Sequence, residues 1–227
     1  MGDDNEKNFK KLFSVLSILI VLSSILVGCP STDTTYKEKQ YSMLDIDNIT
    51  VDIKDRKIEI FPSSDRQIYI SYYESVKEYY MIDLSEKNRL SIKYITNKDW
   101  NDYIGGKNSM ENRTIKIWIP NESLENLNLK TSNGDVEISQ LSFLSSVDIK
   151  VSNGNIELEE LDVGNTIKLE TKNGNIGGTL IGSYNDFFIS NYIKKGKSNL
   201  PNDKHNGSKK LTTYTNNGNI LLDFIND

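Results

Sequence analysis

The sequence predicts an all-β fold, built as a β-solenoid or parallel β-helix-like stack of units of about 20 residues. Short runs of alternating apolar and polar residues follow one another after residue 40. A Thr/Val-x-Asn-Gly motif recurs in the second half of the chain. The composition, with 27 Ile and no Ala, favours strands over helices, although the codon bias of an AT-rich genome would leave the same mark.

The alternating runs define a strand-rich N-terminal part that continues into the repeats. Runs of three to six residues bounded by Asn, Asp, Gly, Ser or Pro are typical of half-buried strands. No segment after residue 40 keeps a helical apolar period for three turns. The alternating apolar positions are Ile49, Val51, Ile53, Ile58, Ile60, Ile68, Ile70, Leu90, Ile92, Tyr94, Ile115, Ile117 and Ile119.

The repeat is marked by four Asn-Gly pairs. The first three follow one another at equal intervals, and the interval before the fourth is slightly more than twice as long. This longer gap fits two expanded units with a decayed copy at residues 189–192 between them. The pairs are Asn133-Gly134, Asn153-Gly154, Asn173-Gly174 and Asn217-Gly218.

Asn and Gly tolerate positive φ, so each pair is a good corner between two strands. If the units stack in register, the Asn side chains can form an amide ladder along the stack. The competing geometry is a meander of β-hairpins, because Asn-Gly also favours the type I′ turn. The stack requires Ile156 to pair with Val136 and Ile176, whereas the hairpin folds the chain back across Asn153-Gly154.

Three segments carry a family resemblance: residues 115–120 (IKIWIP), the first repeat at 127–134, and the closing segment 207–224. Together they resemble the bacterial "putative adhesin" family of repeat-rich extracytoplasmic β proteins, best over about 110–225. The resemblance implies a solenoid-like fold and a surface location, and it brings no catalytic motif. The segment 182–210 departs from the pattern through an expanded unit, which puts strict stacking there in question.

The first residues have the features of an export signal. Three lysines precede an apolar run over residues 12–27, which is short for a spanning helix. The run ends in Leu-Val-Gly-Cys29, which resembles a bacterial lipobox, in which the cysteine is lipidated and becomes the new N-terminus. The alternative is an uncleaved signal anchor with an incidental cysteine. Two acyl chains on Cys29 would give stable membrane anchoring.

These features divide the chain into three predicted parts. Residues 1–28 form a lipoprotein signal peptide, and residues 29–40 form a polar tether without apolar period. Residues 41–227 form an adhesin-like β-solenoid domain. The predicted location is the extracytoplasmic face of the cell membrane.

Composition excludes several function classes. The single Cys permits neither an internal disulfide nor a cysteine-based zinc site, and the net charge of −5 argues against nucleic-acid binding. The only histidine, His205, lies in a loop by composition, and no Gly-x-Ser-x-Gly motif accompanies it. The repeat spacing does not match a calcium-binding nonapeptide, and we expect neither a metal nor a cofactor.

A glycosidase built on a carboxylate pair remains an alternative, since acids alternate along several strands. They more simply form solvated strand faces. The pairs considered are Asp45/Asp47, Asp135/Glu137 and Glu157/Glu159.

Aromatic residues offer the candidate partner site. Residues 97–112 have the composition of a long loop that carries Trp100, Tyr103 and a Gly-Gly pair, and loops on rigid scaffolds often bind partners. The consecutive pairs Tyr72-Tyr73 and Tyr79-Tyr80 must each turn one ring outward if their segments are extended.

The sequence therefore predicts a non-enzymatic, lipid-anchored surface protein with an adhesin-like binding or envelope-structural role. Its expected partners are the membrane, through the anchor, and a cell-surface protein or glycan. One alternative is a sensor or regulatory partner of a neighbouring membrane protein. A more distant one is an enzyme acting on cell-wall glycan.

Overall fold

The computed structural model describes residues 36–85, 88–103, 108–121 and 123–226. Over these ranges the regular structure consists of eighteen strands and three short 3-10 helices, so the all-β prediction is confirmed. The helices are η1 (Trp100–Tyr103), η2 (Glu111–Arg113) and η3 (Tyr184–Asp186). Within the same ranges no helix has the length and apolar character that crossing a membrane requires.

The strands form two nine-stranded sheets. The first sheet contains β1 (Lys37–Met43), β3 (Lys57–Pro62), β4 (Ile68–Glu74), β7 (Thr114–Ile119), β9 (Val136–Ile138), β10 (Leu141–Phe143), β12 (Ile156–Val163), β14 (Ile176–Ile181) and β18 (Ile220–Ile225). The second contains β2 (Asn48–Asp52), β5 (Glu78–Ser85), β6 (Arg89–Thr96), β8 (Asn126–Asn133), β11 (Ser146–Asn153), β13 (Thr166–Asn173), β15 (Phe187–Lys195), β16 (Asp203–Lys204) and β17 (Lys209–Asn217).

The strand order shows how the chain is wound. The first sheet runs β1-β4-β7-β3-β9-β12-β14-β18, with β10 also paired to β12, and the second runs β16-β15-β17-β13-β11-β8-β2-β6-β5. The chain passes from one sheet to the other at the Asn-Gly pair of each of the four repeats, because β8, β11, β13 and β17 end there and the next strand lies in the opposite sheet. One hydrophobic core takes residues from both sheets.

The parallel register places successive repeats side by side. Ile156 is opposite Val136 on one side and Ile176 on the other. In the second sheet, Val147 is opposite Leu127 and Ile167. Because the strands that flank each Asn-Gly lie in different sheets, the hairpin alternative is wrong. The alternation along the strands buries one apolar side chain after another on the core face, and each fully buried one stabilises the fold by about 1.5–3 kcal/mol.

The N-terminal part continues the stack, as predicted. Strands β2 and β3 pair in parallel with β8 and β9, so that Ile49 is opposite Leu127 and Ile58 is opposite Val136. Beyond them, β6 and β7 pair in parallel with β2 and β3. Antiparallel strands β1, β4 and β5 then close this end of the two sheets.

At the other end the chain order is inverted, which corrects the predicted arrangement of the expanded unit. Asn217 lies directly opposite Asn173, so the fourth repeat stacks on the third despite the long gap between them in the chain. Strand β15 lies outside β17, with Lys195 opposite Asn217, so the decayed copy caps the stack instead of separating the third and fourth repeats. Asn191 is buried at 6% exposure and accepts a hydrogen bond from the Thr213 hydroxyl at 2.8 Å.

The start of the domain also differs from the predicted tether boundary. The sequence predicts that the tether extends to residue 40, yet residues 37–40 form the first half of β1 and pair with β4. Their polar character reflects an outermost strand whose side chains remain largely exposed. The predicted signal peptide, Cys29 and the tether up to residue 35 lie outside the described residues.

Candidate functional site

The Asn side chains of the repeat corners form a ladder along one edge of the stack. The Nδ2 of Asn153 donates to Oδ1 of Asn133 at 2.6 Å, and the Nδ2 of Asn173 donates to Oδ1 of Asn153 at 2.7 Å. Asn217 continues the ladder with a 2.6 Å bond to Asn173. The amides of Asn133, Asn153 and Asn173 thus each donate to one neighbour and accept from the next, which fixes the register of successive units.

A second ladder, which sequence reasoning missed, runs beside the first. The side chain two residues after each corner Asn accepts a hydrogen bond from the backbone N–H of its equivalent in the next unit. The Oδ1 of Asp135 accepts from Asn155 at 2.7 Å, and the Oδ1 of Asn155 accepts from Asn175 at 2.8 Å. The recurrence of Asp or Asn at this position is the signal that could have revealed it.

The corner glycines are required by close approach of neighbouring backbones. A Cβ on Gly134 would lie 2.2 Å from the Arg56 carbonyl oxygen, and a Cβ on Gly154 would lie 2.4 Å from the Gly134 carbonyl oxygen. Gly154 has a φ of 156°, whereas Gly134 is not among the glycines with positive φ. Positive φ therefore does not explain why glycine occupies all four corners, whereas the close approach of the stacked backbones does.

The stack contains a corner that lacks the Asn-Gly signature. Asp55 and Arg56 occupy the positions equivalent to Asn133 and Gly134, and the Asn133 amide donates to the Asp55 carboxylate. A side chain fits at Arg56 because the next layer crosses between the sheets through the long connection of residues 97–113 instead of a tight corner.

A buried charged network occupies this position. Arg56 is only 2% exposed and Glu78 only 5%. The Arg56 Nη2 lies 3.0 Å from Glu78 Oε1 and 3.2 Å from the Tyr94 hydroxyl. The guanidinium also lies over the Tyr94 ring, 4.5 Å from its centroid. Since an unpaired buried charge is costly, these contacts are what allow Arg56 to be buried.

The other oxygen of Glu78 binds the long loop. The Lys98 Nζ lies 2.5 Å from Glu78 Oε2, and the Asn108 Nδ2 donates to the same oxygen at 3.2 Å. Asn108 also hydrogen-bonds the hydroxyl of Tyr36, the first described residue. Glu78 therefore joins the Arg56 corner, the loop and the start of the domain.

Tyrosines fill the core beside this network. The rings of Tyr72 and Tyr80 lie 4.4 Å apart between centroids, and Tyr80 lies edge-on to Tyr94. Burial raises the pKa of Tyr80 to about 12, although the charge of Arg56 opposes the shift. Tyr72 and Tyr80 are buried while Tyr73 and Tyr79 are partly exposed, as the alternation predicted.

The predicted partner loop is displayed at the same end of the stack. Trp100, in η1, is 74% exposed, the highest value among the large apolar side chains of the described residues. Tyr103 ends η1, and its side chain lies outside the described part of the chain. The Gly-Gly pair at 105–106 also lies outside it. Trp100 therefore stands as an exposed aromatic beside the Glu78 network.

Among the acids considered for glycan chemistry, Glu137 and Glu157 lie on strands of the first sheet, whereas Asp45 and Asp47 lie between β1 and β2. Glu59 and Glu137 are neighbours across β3 and β9, and Lys57 Nζ lies 2.8 Å from the first and 2.7 Å from the second. Burial disfavours the charge of Lys57, yet its hydrogen bonds to these carboxylates raise its pKa. Glu137 is thus ion-paired, which is typical of a structural surface.

Glu157 occupies the next position in this row and lines a shallow groove with Phe61 and Glu159. Burial, together with the negative charges of Asp135 and Glu137, raises the pKa of the Glu157 carboxyl. Sequence reasoning paired Glu157 with its chain neighbour Glu159, whereas the structure sets it beside acids of the preceding unit. In the described ranges, no group of three or more His, Cys, Asp and Glu side chains could hold a metal ion.

His205 is exposed, as predicted for a loop residue. Its imidazole lies edge-on to the Phe188 ring, with 5.4 Å between centroids. This is a packing contact, and it gives His205 no hydrogen-bonded nucleophile to activate.

Comparison with known proteins agrees with the all-β repeat fold described above. The sequence matches the Toastrack DUF4097 family over residues 46–223, most of the chain. The chain belongs to the Toastrack family. This Toastrack chain is similar to the structure of a "putative cell adhesion protein" from Clostridium sporogenes, with 13% identity and a TM-score of 0.59, over 84% of this chain and all of that one.

A "putative adhesin" from Bacteroides fragilis also matches, with 13% identity and a TM-score of 0.38, over 85% of this chain and 98% of that one. Comparison with curated proteins finds no match. The similarity to the Clostridium protein supports the fold alone. The family resemblance inferred from the repeats is confirmed.

Proposed function

We propose that this Toastrack protein is a non-enzymatic, lipid-anchored, extracytoplasmic scaffold with an adhesin-like binding or envelope-structural role. Its repeats act as a β-solenoid of units of about 20 residues each. One end of this stack is fixed to the membrane through Cys29. The opposite end is presented to a cell-surface protein or glycan.

The position at which the chain enters the fold supports this proposal. Residue 36 precedes β1, the outermost strand of the first sheet, and β18 is the outermost strand at the other end. Seven strand spacings separate them, about 34 Å at 4.8 Å each. A chain anchored upstream of β1 would therefore hold its C-terminal end well away from the lipid.

The distal end carries exposed aromatic surface suited to a partner. The rings of Tyr192 and Tyr214 stack with 5.1 Å between centroids and an angle of 9°. Tyr192 is half-exposed, and so is Leu221 on β18. Aromatic rings with one polar end are favoured both at protein interfaces and against sugar rings.

Replacement of Cys29 by Ala tests both the lipid anchor and the adhesin-like role. Radiolabelled palmitate is expected to enter the wild-type protein and the control Thr34→Ala, and to be absent from Cys29→Ala. Cells producing Cys29→Ala should also lose any adherence to immobilised glycans and matrix proteins that the wild type confers. Labelling that persists without Cys29 would contradict the anchor, and adherence unaffected by deletion of the protein would contradict the adhesin role.

A further inference from the structure

Three exposed apolar side chains lie at the end of the stack where the chain joins the fold. Trp100, Val76 and Met110 are 74%, 70% and 57% exposed, the three highest values for large apolar side chains in the ranges described. Exposed apolar side chains are common when scattered, but a group of them at one place marks an interaction surface. We call these three residues the tether-end cluster.

Local contacts bring the tether-end cluster to one place. Val76 lies in the turn between β4 and β5, and the adjacent Lys77 binds the Asp102 carboxylate of η1 at 2.8 Å. Trp100 begins the same 3-10 helix. Met110 directly precedes η2, where the Tyr73 hydroxyl lies 3.2 Å from Glu111 and ties the helix to the end of β4.

The start of the domain adjoins the same cluster. Lys37, the first residue of β1, is opposite Glu74, two residues before Val76. Tyr36 is hydrogen-bonded to Asn108, two residues before Met110. The seven residues from Cys29 to residue 35 can span at most about 25 Å to residue 36. A lipid anchor at Cys29 would therefore keep the cluster within one tether length of the bilayer.

From this geometry we infer that the tether-end cluster inserts into the membrane interface, and that Trp100 contacts lipid instead of a protein or glycan partner. The inference rests on the proposed anchor at Cys29. Trp is enriched at the membrane interface, where its ring spans the boundary between headgroups and acyl chains. Insertion would add a second, weaker contact to the lipid anchor and limit the tilt of the stack.

The charged residues beside the cluster bear on whether its binding depends on the charge of the lipid headgroups. Lys77 is paired with Asp102, and Lys98 is paired with Glu78. These lysines are already neutralised by protein carboxylates, so anionic headgroups gain little from them. These two lysines are therefore not expected to make binding of the cluster depend on anionic lipid.

Fluorescence of Trp100 in the lipidated mature protein tests the inference. The chain has two tryptophans, so Trp118→Phe leaves Trp100 as the only one. In vesicles of phosphatidylcholine and phosphatidylglycerol, bromination of the acyl chains is expected to lower Trp100 emission about twofold. The matched variant Trp100→Phe leaves Trp118, which is half-buried beside Phe61 and should change little.

A third variant distinguishes insertion of the cluster into the bilayer from proximity of the cluster to its surface. Val76→Asp with Met110→Asp, made in the Trp118→Phe background, should lose the quenching while it keeps its palmitate label and its recovery with vesicles. Unquenched Trp100 in a vesicle-bound, palmitate-labelled protein would overturn the inference and leave the anchor intact. Absence of the label and of vesicle recovery would instead contradict the anchor, and the inference with it.

Discussion

Gly154→Val is expected to lower the free energy of unfolding by about 3 kcal/mol, because the new side chain has no space between stacked corners. Its Cβ would lie 2.4 Å from the Gly134 carbonyl oxygen, and a backbone oxygen cannot move aside without breaking the ladder. Urea denaturation of the wild type and the variant gives the difference in unfolding free energy.

Gly177→Ala is the matched control. The one tight contact of its Cβ would be with the Glu157 carboxylate, at 2.9 Å, and that flexible side chain can rotate away. We expect a change below about 1 kcal/mol. Equal effects at the two glycines would show that close stacking is not what the corner requires.

Arg56→Met is expected to lower the free energy of unfolding by about 3 kcal/mol, because it leaves the Glu78 carboxylate buried without its guanidinium partner. The remaining contact with Lys98 keeps the loss from being larger. Thermal and urea unfolding, monitored by circular dichroism, measure the effect.

The exposed pair of Lys130 and Asp52 is the control for this change. Its N–O distance is 2.9 Å, but both side chains are about half exposed, so Lys130→Met should cost less than about 1 kcal/mol. Adding Glu78→Gln to Arg56→Met should restore part of the lost stability, since the buried carboxylate that has lost its guanidinium partner is then neutral. A loss at Arg56 as small as that at Lys130 would contradict the importance of the buried network.

The strands and the repeat could be predicted because their physical causes recur in the sequence. Burial of one sheet face requires alternating residues, and Ile115, Ile117 and Ile119 are all buried as expected. Close stacking of corners requires Gly, and the amide ladder favours Asn. These requirements leave a visible period, which is also what identifies the family.

The features that could not be predicted have no recognisable pattern in the local sequence. The corner at Asp55 and Arg56 lacks both marker residues, and the strand before it pairs with the distant β8. The buried pair of Arg56 and Glu78 forms only because the fold brings β5 beside that corner. The exchange of β15 and β17 in the stack also escaped prediction, since either order accounts for the long gap before the fourth repeat.

The candidate site at Trp100 could be predicted in part from the sequence and in part only from the fold. The loop composition predicted a partner site at Trp100, whereas the contact of the same loop with the start of the domain, between Asn108 and Tyr36, is visible only in the fold. Sequence alone therefore suggested a partner surface, and the fold favours lipid as the occupant.

The most direct test of the account is the height of the two ends of the stack above the bilayer. Lys37→Cys and Leu221→Cys place exposed labelling sites on the first and last strands of the same sheet, about 34 Å apart. The thiol of a lipidated Cys29 is not available to the label. With a fluorophore on each, quenching by headgroup-attached nitroxides in vesicles should be strong at position 37 and weak at position 221. Equal quenching, or stronger quenching at 221, would contradict an anchored stack that projects its C-terminal end away from the membrane.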